Sequence, residues 1–273
     1  MNASLTRSSQ RNRNLQFSYL DLAGSACFLL VCGIGLVLLI KSFRFEVIGS
    51  NFWYLMKGLS RTWVLAALTF ALALVLAVFL AVGRLSASSF WRRLTGGYIE
   101  LFRNVPVLMV LFWVYFLLPA LLGRSIDALG AAVAGLTVCE AAYLAEVVQA
   151  GINSVSHGET EAGLSTGLTY FQTMRWIVLP QALQNMIPSL TNQFVSNFKT
   201  TSLVYVIGVI DFFGAATLVN SREFKSMEIF TFVGVVYLAN CFAISWIMRR
   251  LEKRLVSKRT SAASSRSLVQ SPR

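Results

Sequence analysis

A series of long apolar segments constrains this chain more than any other feature. Residues 64–82 are apolar at every position except Thr69, and residues 229–248 carry no charged side chain. A helix needs about 20 mostly apolar residues to cross the hydrocarbon core of a bilayer, and it satisfies its own backbone hydrogen bonds there. The pattern predicts an all-α, polytopic membrane protein with about six transmembrane helices. We expect them at residues 23–40, 64–82, 105–122, 128–150, 187–219 (one long or broken span) and 229–248.

Composition supports a membrane protein over a soluble one. Only 13% of the residues are charged, about half the share of an ordinary soluble domain. The net charge is +12, but the basic residues lie mainly between and beyond the apolar segments. There they indicate topology and contacts with membrane lipid, not nucleic acid. The four cysteines lie within apolar segments, and the single histidine, His157, excludes a multi-histidine metal site.

The first apolar segment could be a signal peptide, because Arg7, Arg11 and Arg13 precede it. It has no convincing small-residue cleavage site, and it is long enough to span a bilayer. We therefore expect a retained first helix.

The placement of lysine and arginine predicts the orientation. With the N-terminus inside, the internal segments are residues 1–23, 84–97, 151–184 and 249–273. They hold fifteen basic residues, against seven in the external loops. Basic residues favour the cytoplasmic side, so both termini are expected in the cytoplasm. The basic, serine-rich segment after residue 250 is expected to be a disordered tail.

The longest internal segment between spans contains EAGLSTGLTYFQTMRWIVLP, residues 161–180. Its apolar residues recur at helical spacing, which predicts one or two short amphipathic helices. Gly163 and Gly167 are expected to bend or break the chain, and Pro180 to close the unit or to begin a new turn.

This segment resembles the signature of the permease subunits of bacterial ATP-binding-cassette (ABC) importers, which is E-A-A, three residues, G, nine residues, I-x-L-P. The match consists of Glu161-Ala162-Gly163, Gly167 and Ile177-x-Leu179-Pro180. Gly163 replaces the third signature residue, alanine, and is expected to add flexibility without removing a polar contact. Residues 100–115, 139–159 and 179–213 are similar to the polar amino-acid branch, and most of all to glutamate/aspartate importer permeases. Members of the family often have an acidic residue where this chain has Thr200.

The resemblance implies a five-helix importer core preceded by an additional helix. The corresponding divisions are a cytoplasmic N-terminal tail (1–23), the extra helix and a periplasmic loop (24–57), the transmembrane domain (58–250) with coupling loop 151–184, and a basic cytoplasmic tail (251–273). The implied location is the bacterial inner membrane, with multiple passes. The implied partners are a dimer of ABC ATPase subunits, a second permease, identical or homologous, and a periplasmic substrate-binding protein.

Residues 161–180 would act as the coupling helix that docks on the ATPase, with Glu161 capping or pairing at the helix start and Leu164, Leu168 and Phe171 as the apolar anchor. The chain has no G-x-x-x-x-G-K-[ST] motif. It is therefore not expected to be an enzyme or to bind a cofactor, and ATP and Mg would be bound by the partner. The coupling residues are Glu161, Ala162, Gly163, Leu164, Gly167, Leu168, Phe171, Ile177, Leu179 and Pro180.

Polar residues within the predicted spans suggest a substrate path, because charged groups in a bilayer usually face a cavity or a partner. Glu140 is placed to meet an ammonium group, and Lys199 a carboxylate. The alternative is that these two residues pair with each other for structural reasons. Arg103 is expected to form a structural or gating pair, and Asp211 to serve a gate or a delivery protein. The path residues are Glu140, Tyr143, Asn192, Ser196, Lys199 and Thr200.

The favoured cargo is an acidic amino acid such as glutamate or aspartate, moved by alternating access. An importer for a basic or neutral amino acid, cystine or an opine remains open. So do an ATP-independent secondary transporter or channel and a membrane-embedded enzyme, although no Ser/His or metal constellation supports the last.

Overall fold

In the computed structural model of this chain, the described residues are 33 and 46–269, with side chains up to residue 250. The predicted first span and the N-terminal tail therefore lie outside the described residues. The chain divides into residues 1–49 and residues 50–273. The helices from Phe52 onward all belong to the second unit.

All regular secondary structure in the described ranges is helical, as the apolar segments predicted. The helices are α1 (Glu46–Ser50), α2 (Phe52–Leu85), α3 (Ser89–Asn104), α4 (Val107–Leu122, with a π-helical turn at Trp113–Leu117), α5 (Ala128–Asn153), α6 (His157–Ser165), α7 (Tyr170–Thr173, followed by a π-helical turn at Met174–Val178), α8 (Leu179–Thr200, followed by a 3₁₀ helix at Thr201–Ile207), α9 (Phe212–Glu223) and α10 (Ser226–Val269).

Three of the described helices are long and apolar enough to cross a bilayer unaided: α2, α5 and α10 through Arg250. Two bent pairs also qualify if each forms one broken span, which gives up to five in this part of the chain. The first pair is α3 and α4, with a bend of 106° between them. The second pair is the helical stretch Tyr170–Ile207, which contains α8, and α9, with a bend of 49°. The five predicted segments after residue 50 fall on these helices, although two of them are broken.

The expected span at residues 105–122 is the second part of the bent α3–α4 pair. The first part, α3, reaches back into the internal segment 84–97, and its Thr95 and Ile99 are buried. The break follows from Pro106, which disfavours helical geometry in the residue before it. Val105 is accordingly extended, at φ −92° and ψ 133°.

The centre of the bundle is the contact between α2 and α5. Ala73, Ala77 and Ala81 recur every four residues on α2 and are fully buried. The first two belong to one buried cluster with Ala141 and Ala145 of α5. Small residues at this spacing allow two helices to approach closely in lipid.

Helix α8 packs against α2 through polar and aromatic contacts. The buried Asn197 amide donates hydrogen bonds to the Ala66 carbonyl at 3.0 Å and to Thr69 Oγ1 at 3.1 Å. The Trp63 and Phe198 rings lie 4.9 Å apart, centroid to centroid. These contacts fix which face of α8 can turn toward α5.

One end of the bundle, which we call the α6 end, joins the C-termini of α2 and α5 to the start of α8. Ala81, Val148, Ala182 and Met186 form a buried cluster there. Residues 154–178 connect α5 to α8 and therefore lie at this end.

The opposite end is organised by Asp211, which is fully buried. Its carboxylate accepts hydrogen bonds from the Gly214 amide at 2.8 Å and from the Thr62 hydroxyl at 3.3 Å, and the Tyr237 hydroxyl lies 3.5 Å away. Asp211 thereby caps α9 and joins it to α2 and α10. Of the two roles considered for Asp211, contact with a delivery protein does not fit its full burial, and a role in a gate stays a prediction.

The C-terminal segment also differs from its prediction. Helix α10 continues through Val269, where a disordered tail was expected. Between Gly234 and Pro272 the sequence contains neither glycine nor proline, so no strong helix breaker ends α10 earlier.

The two aspartate caps of the bundle give a matched test of the Asp211 network. Asp127 caps α5 through the Gly130 amide at 3.0 Å, but it is exposed. We expect Asp211→Ala to lower the free energy of unfolding by about 3 kcal/mol and Asp127→Ala by about 1 kcal/mol. The difference arises because only Asp211→Ala leaves buried hydrogen-bond donors without an acceptor. Thermal unfolding of the purified protein in mild detergent measures both. Equal losses would contradict the structural role of Asp211.

Candidate functional site

The segment between α5 and α8 forms a helical hairpin. Helix α6 begins after Ser156, whose hydroxyl accepts from the Gly158 amide at 3.3 Å. The chain reverses at Gly167, which has φ +85°, a left-handed conformation that glycine adopts without a Cβ penalty. Thr169 and Gln172 then form a reciprocal capping box at the start of α7. Pro180 is the second residue of α8, directly after the π-helical turn Met174–Val178.

Gly163 holds the two arms of the hairpin together. It is buried, and a Cβ at this position would lie 2.8 Å from both Ile177 Cδ1 and Thr173 Cγ2. The glycine that departs from the signature therefore serves close packing. The expectation that Gly163 adds flexibility is corrected, because the close packing holds the two arms together.

Glu161 lies in the second turn of α6 and is exposed, whereas Glu159 occupies the first turn. Glu161 therefore does not cap the helix start, where Ser156 is the cap, and a pairing role for Glu161 stays a prediction. The Gln181 amide lies 3.4 Å from Glu159 Oε2, so Glu159 has the structural contact and Glu161 faces outward.

The hairpin presents exposed apolar side chains. Phe171 is 75% exposed and Leu164 44% exposed, and two similar residues, Tyr170 and Trp176, were not predicted from the sequence. Their aromatic character was the available signal. Of the remaining coupling residues, Leu168, Ile177 and Leu179 are half-buried, and Ala162, Gly167 and Pro180 are exposed.

A second site is a cavity of about 190 Å³ between α4, α5 and α8. It includes four of the six predicted path residues, namely Glu140, Tyr143, Ser196 and Thr200. The full lining is Val107, Leu136, Cys139, Glu140, Tyr143, Gln193, Ser196, Asn197 and Thr200.

Asn192 and Lys199 are exposed and do not line this cavity. The α8 residues that line the cavity are spaced by three, one and three positions, which places them on one helical face. The predicted polar stripe from Asn192 through Ser196 to Lys199 is rotated relative to that face. Gln193 was missed for this reason, although its polarity within an apolar region was visible. The lining residues of α8 are Gln193, Ser196, Asn197 and Thr200.

Glu140 is the central charged group of the cavity, and the residue is only 6% exposed. Gln193 Nε2 donates to Glu140 Oε2 at 3.2 Å. Glu140 Oε1 is buried and has no hydrogen-bond partner among the described residues. The structural pairing considered for Glu140 and Lys199 is thus replaced by an amide contact that leaves one carboxylate oxygen unsatisfied.

An ion pair adjoins the cavity. Arg103, at the end of α3, pairs with Glu146 of α5. The Arg103 carbonyl also accepts a hydrogen bond from Tyr143 at 3.2 Å, and Tyr143 lines the cavity. The broken α3–α4 span is therefore tied to α5 immediately beside Glu140.

Comparisons with known proteins agree with this architecture. Residues 73–257 match the family described as "Binding-protein-dependent transport system inner membrane component". The chain is 34% identical over 208 residues to the glutamate/aspartate import permease protein GltK of Escherichia coli O157:H7, covering 74% of this chain and 93% of that protein. It is 36% identical over 210 residues to the probable glutamine ABC transporter permease protein GlnM of Bacillus subtilis, covering 77% and 97%.

A solved structure is also similar. It is the crystal structure of "an amino acid ABC transporter with histidines", with a TM-score of 0.74 and 28% identity, covering 78% of this chain and 99% of the other. Family match, relatives and fold agree, and the chain therefore belongs to the family of binding-protein-dependent transport system inner membrane components.

Proposed function

We propose that this chain forms half of the translocation path of an ABC importer, and that a second permease, identical or homologous, forms the other half around a two-fold axis. At the level the family supports, the chain is an amino-acid ABC permease, a non-catalytic, multi-pass inner-membrane subunit. ATP and Mg would be bound by a separate dimer of ATPase subunits. A periplasmic substrate-binding protein would deliver the cargo, and alternating access would move it.

The observation that supports the path most strongly is the unsatisfied carboxylate oxygen of Glu140 beside a polar cavity. Burying a carboxylate is costly unless it is paired, and buried polar atoms nearly always have partners. An amino-acid ammonium would supply the missing donors and the opposite charge. The volume of about 190 Å³ is below the roughly 300–1,000 Å³ of drug-sized sites and suits a small cargo.

The lining chemistry bears on which amino acid is carried. An acidic cargo is favoured by the resemblance to glutamate/aspartate permeases. A neutral polar cargo is favoured by a specific observation: within the described part of the chain, the cavity lining contains hydroxyl and amide groups but no Lys or Arg. Lys199, the expected partner of a second carboxylate, is elsewhere. We therefore propose a polar amino acid as cargo, with the acidic and neutral classes as the two candidates.

The hairpin would transmit the movement of the ATPase to the bundle. Its exposed aromatic residues, Tyr170, Phe171 and Trp176, form a patch of the kind that marks protein contacts. Gly163 and the capping box make the hairpin stiff, and a stiff unit joined directly to α8 can convert a docking movement into helix movement. Glu161, exposed on α6, would meet the ATPase surface.

The first prediction concerns Glu140. We expect Glu140→Gln to weaken cargo affinity by about ten- to a hundredfold, because it removes a charge-assisted contact but preserves the amide contact with Gln193. The KM for uptake into proteoliposomes containing the whole complex measures this. Lys199→Gln is the matched control and is expected to leave the KM unchanged. If Lys199→Gln lost uptake while Glu140→Gln kept its normal affinity, Lys199 and not Glu140 would be the residue that binds the cargo.

The second prediction concerns Phe171. We expect Phe171→Ala to reduce the amount of ATPase that co-purifies with the permease by about tenfold, because central aromatic contacts often dominate interface affinity. Glu161→Lys should weaken the same association. Trp53→Ala removes an aromatic residue that is 84% exposed, from the Asp211 end, and should have no effect. Equal recovery of the ATPase with all variants would contradict the docking role of the hairpin.

A further inference from the structure

The junction between α2 and α3 carries exposed aromatic and basic side chains together. Phe90, Trp91 and Leu94 are 67%, 54% and 54% exposed. Arg92 and Arg93 lie between Trp91 and Leu94 in the sequence, in the first two turns of α3, and are also exposed. Aromatic and basic residues adjoining each other are typical of helices that lie at a membrane surface.

Helix α3 has two apolar faces. Thr95 and Ile99 form a buried face, and Ile99 belongs to the cluster joining α2 and α5. Phe90, Leu94 and Leu101 follow each other at spacings of four and seven, so they share a different side of the helix. All three are exposed, so packing within the described chain accounts for only the first face.

The charge of the junction is entirely positive. Residues 84–93 contain Arg84, Arg92 and Arg93 but no acidic residue, and the next acid along the chain is Glu100. The Arg92 guanidinium reaches back to the Ser86 carbonyl and to Ser89 Oγ, both at 3.4 Å. These long contacts use only some of the five N–H donors of Arg92. Arg93, the next residue, is also exposed.

The junction lies where a bilayer would end. The apolar segment of α2 stops at Val82, immediately before Gly83 and Arg84. Ala81 packs in the cluster at the α6 end, so the basic residues follow directly after the last membrane-embedded turn. A patch at this depth meets lipid headgroups on its polar side and acyl chains on its apolar side.

We propose that residues 84–94 form a docking site for an anionic phospholipid headgroup. Arg92 and Arg93 bind the phosphate, and Arg84 adds positive charge. Phe90 and Leu94 enter the acyl boundary, while Trp91 lies at headgroup level, where its ring is favoured. The occupant is a lipid and not a soluble anion because the two arginines are flanked by exposed apolar residues, which a free anion would leave uncovered. This site is separate from the cavity and requires only that the chain lies in a membrane.

Lipid titration tests the proposal directly. The probe is phosphatidylglycerol, added to the purified permease complex in a detergent that preserves bound lipid, with phosphatidylcholine as the zwitterionic comparison. Native mass spectrometry counts the lipids retained. The wild type is expected to retain phosphatidylglycerol in preference to phosphatidylcholine. Arg92→Gln with Arg93→Gln should weaken its retention roughly tenfold.

The matched control is Arg124→Gln with Arg222→Gln, which removes the same charge from two other exposed positions. It should leave retention unchanged. Equal weakening in both double variants would mean that net charge alone attracts the lipid, and would overturn a defined site. Absence of any preference for phosphatidylglycerol would overturn it as well.

A second readout separates a lipid site from a protein interface. Phosphatidylglycerol brominated near the carbonyl end of its acyl chains should quench the fluorescence of Trp91. The Trp91 signal is the difference between the fluorescence of the wild type and that of Trp91→Phe. If Arg92→Gln with Arg93→Gln released the ATPase but left this quenching intact, the patch would bind protein and the proposal would be wrong. Neither readout uses amino acid or ATP hydrolysis, so failure of the proposed transport function would leave both results interpretable.

Discussion

The close approach of α2 and α5 is the constraint on which the rest of the structure depends. In lipid there is little hydrophobic force between helices, so packing of small residues has to hold them together. Ala73, Ala77 and Ala81 on α2 supply that surface. Because α5 is held along α2 by this contact, and α8 is held to α2 through Asn197, the faces of α5 and α8 that remain can enclose a cavity. The site is therefore a consequence of helix packing.

Among the described residues, one buried carboxylate has an oxygen without a hydrogen-bond partner, and it lies in the cavity. Asp211 and Glu140 are both buried acidic residues, but they differ in their surroundings. Asp211 is surrounded by hydrogen-bond donors and serves as a joint between three elements. Glu140 has one amide donor and faces open volume. This contrast separates a structural acid from one available to a ligand, and residue type alone would not have separated them.

The sequence predicted the helical class and the positions of the apolar segments well, because bilayer thickness and backbone hydrogen bonding leave few alternatives. It predicted short helices in residues 161–180 with a break at a glycine, and the structure has α6 and α7 separated at Gly167. It failed where the outcome depends on rotation or partners: the lining face of α8 is rotated away from Asn192 and Lys199, and Gly163 serves packing. The segment of α3 was not assigned a helix, although its buried Thr95 and Ile99 recur at helical spacing. The rotation of α8 and the packing at Gly163 depend on long-range contacts that periodicity does not encode.

The most direct test of an ATP-driven permease is amino-acid uptake into proteoliposomes that contain this chain with its ATPase and binding protein. Radiolabelled glutamate and glutamine serve as cargo, with and without ATP on the side of the membrane that carries the ATPase subunits. We predict uptake of at least one of them that requires ATP, the ATPase and the binding protein together, and that is competed by an excess of a polar amino acid. Uptake of the same magnitude without ATP or the ATPase would contradict this function and would identify an ATP-independent transporter.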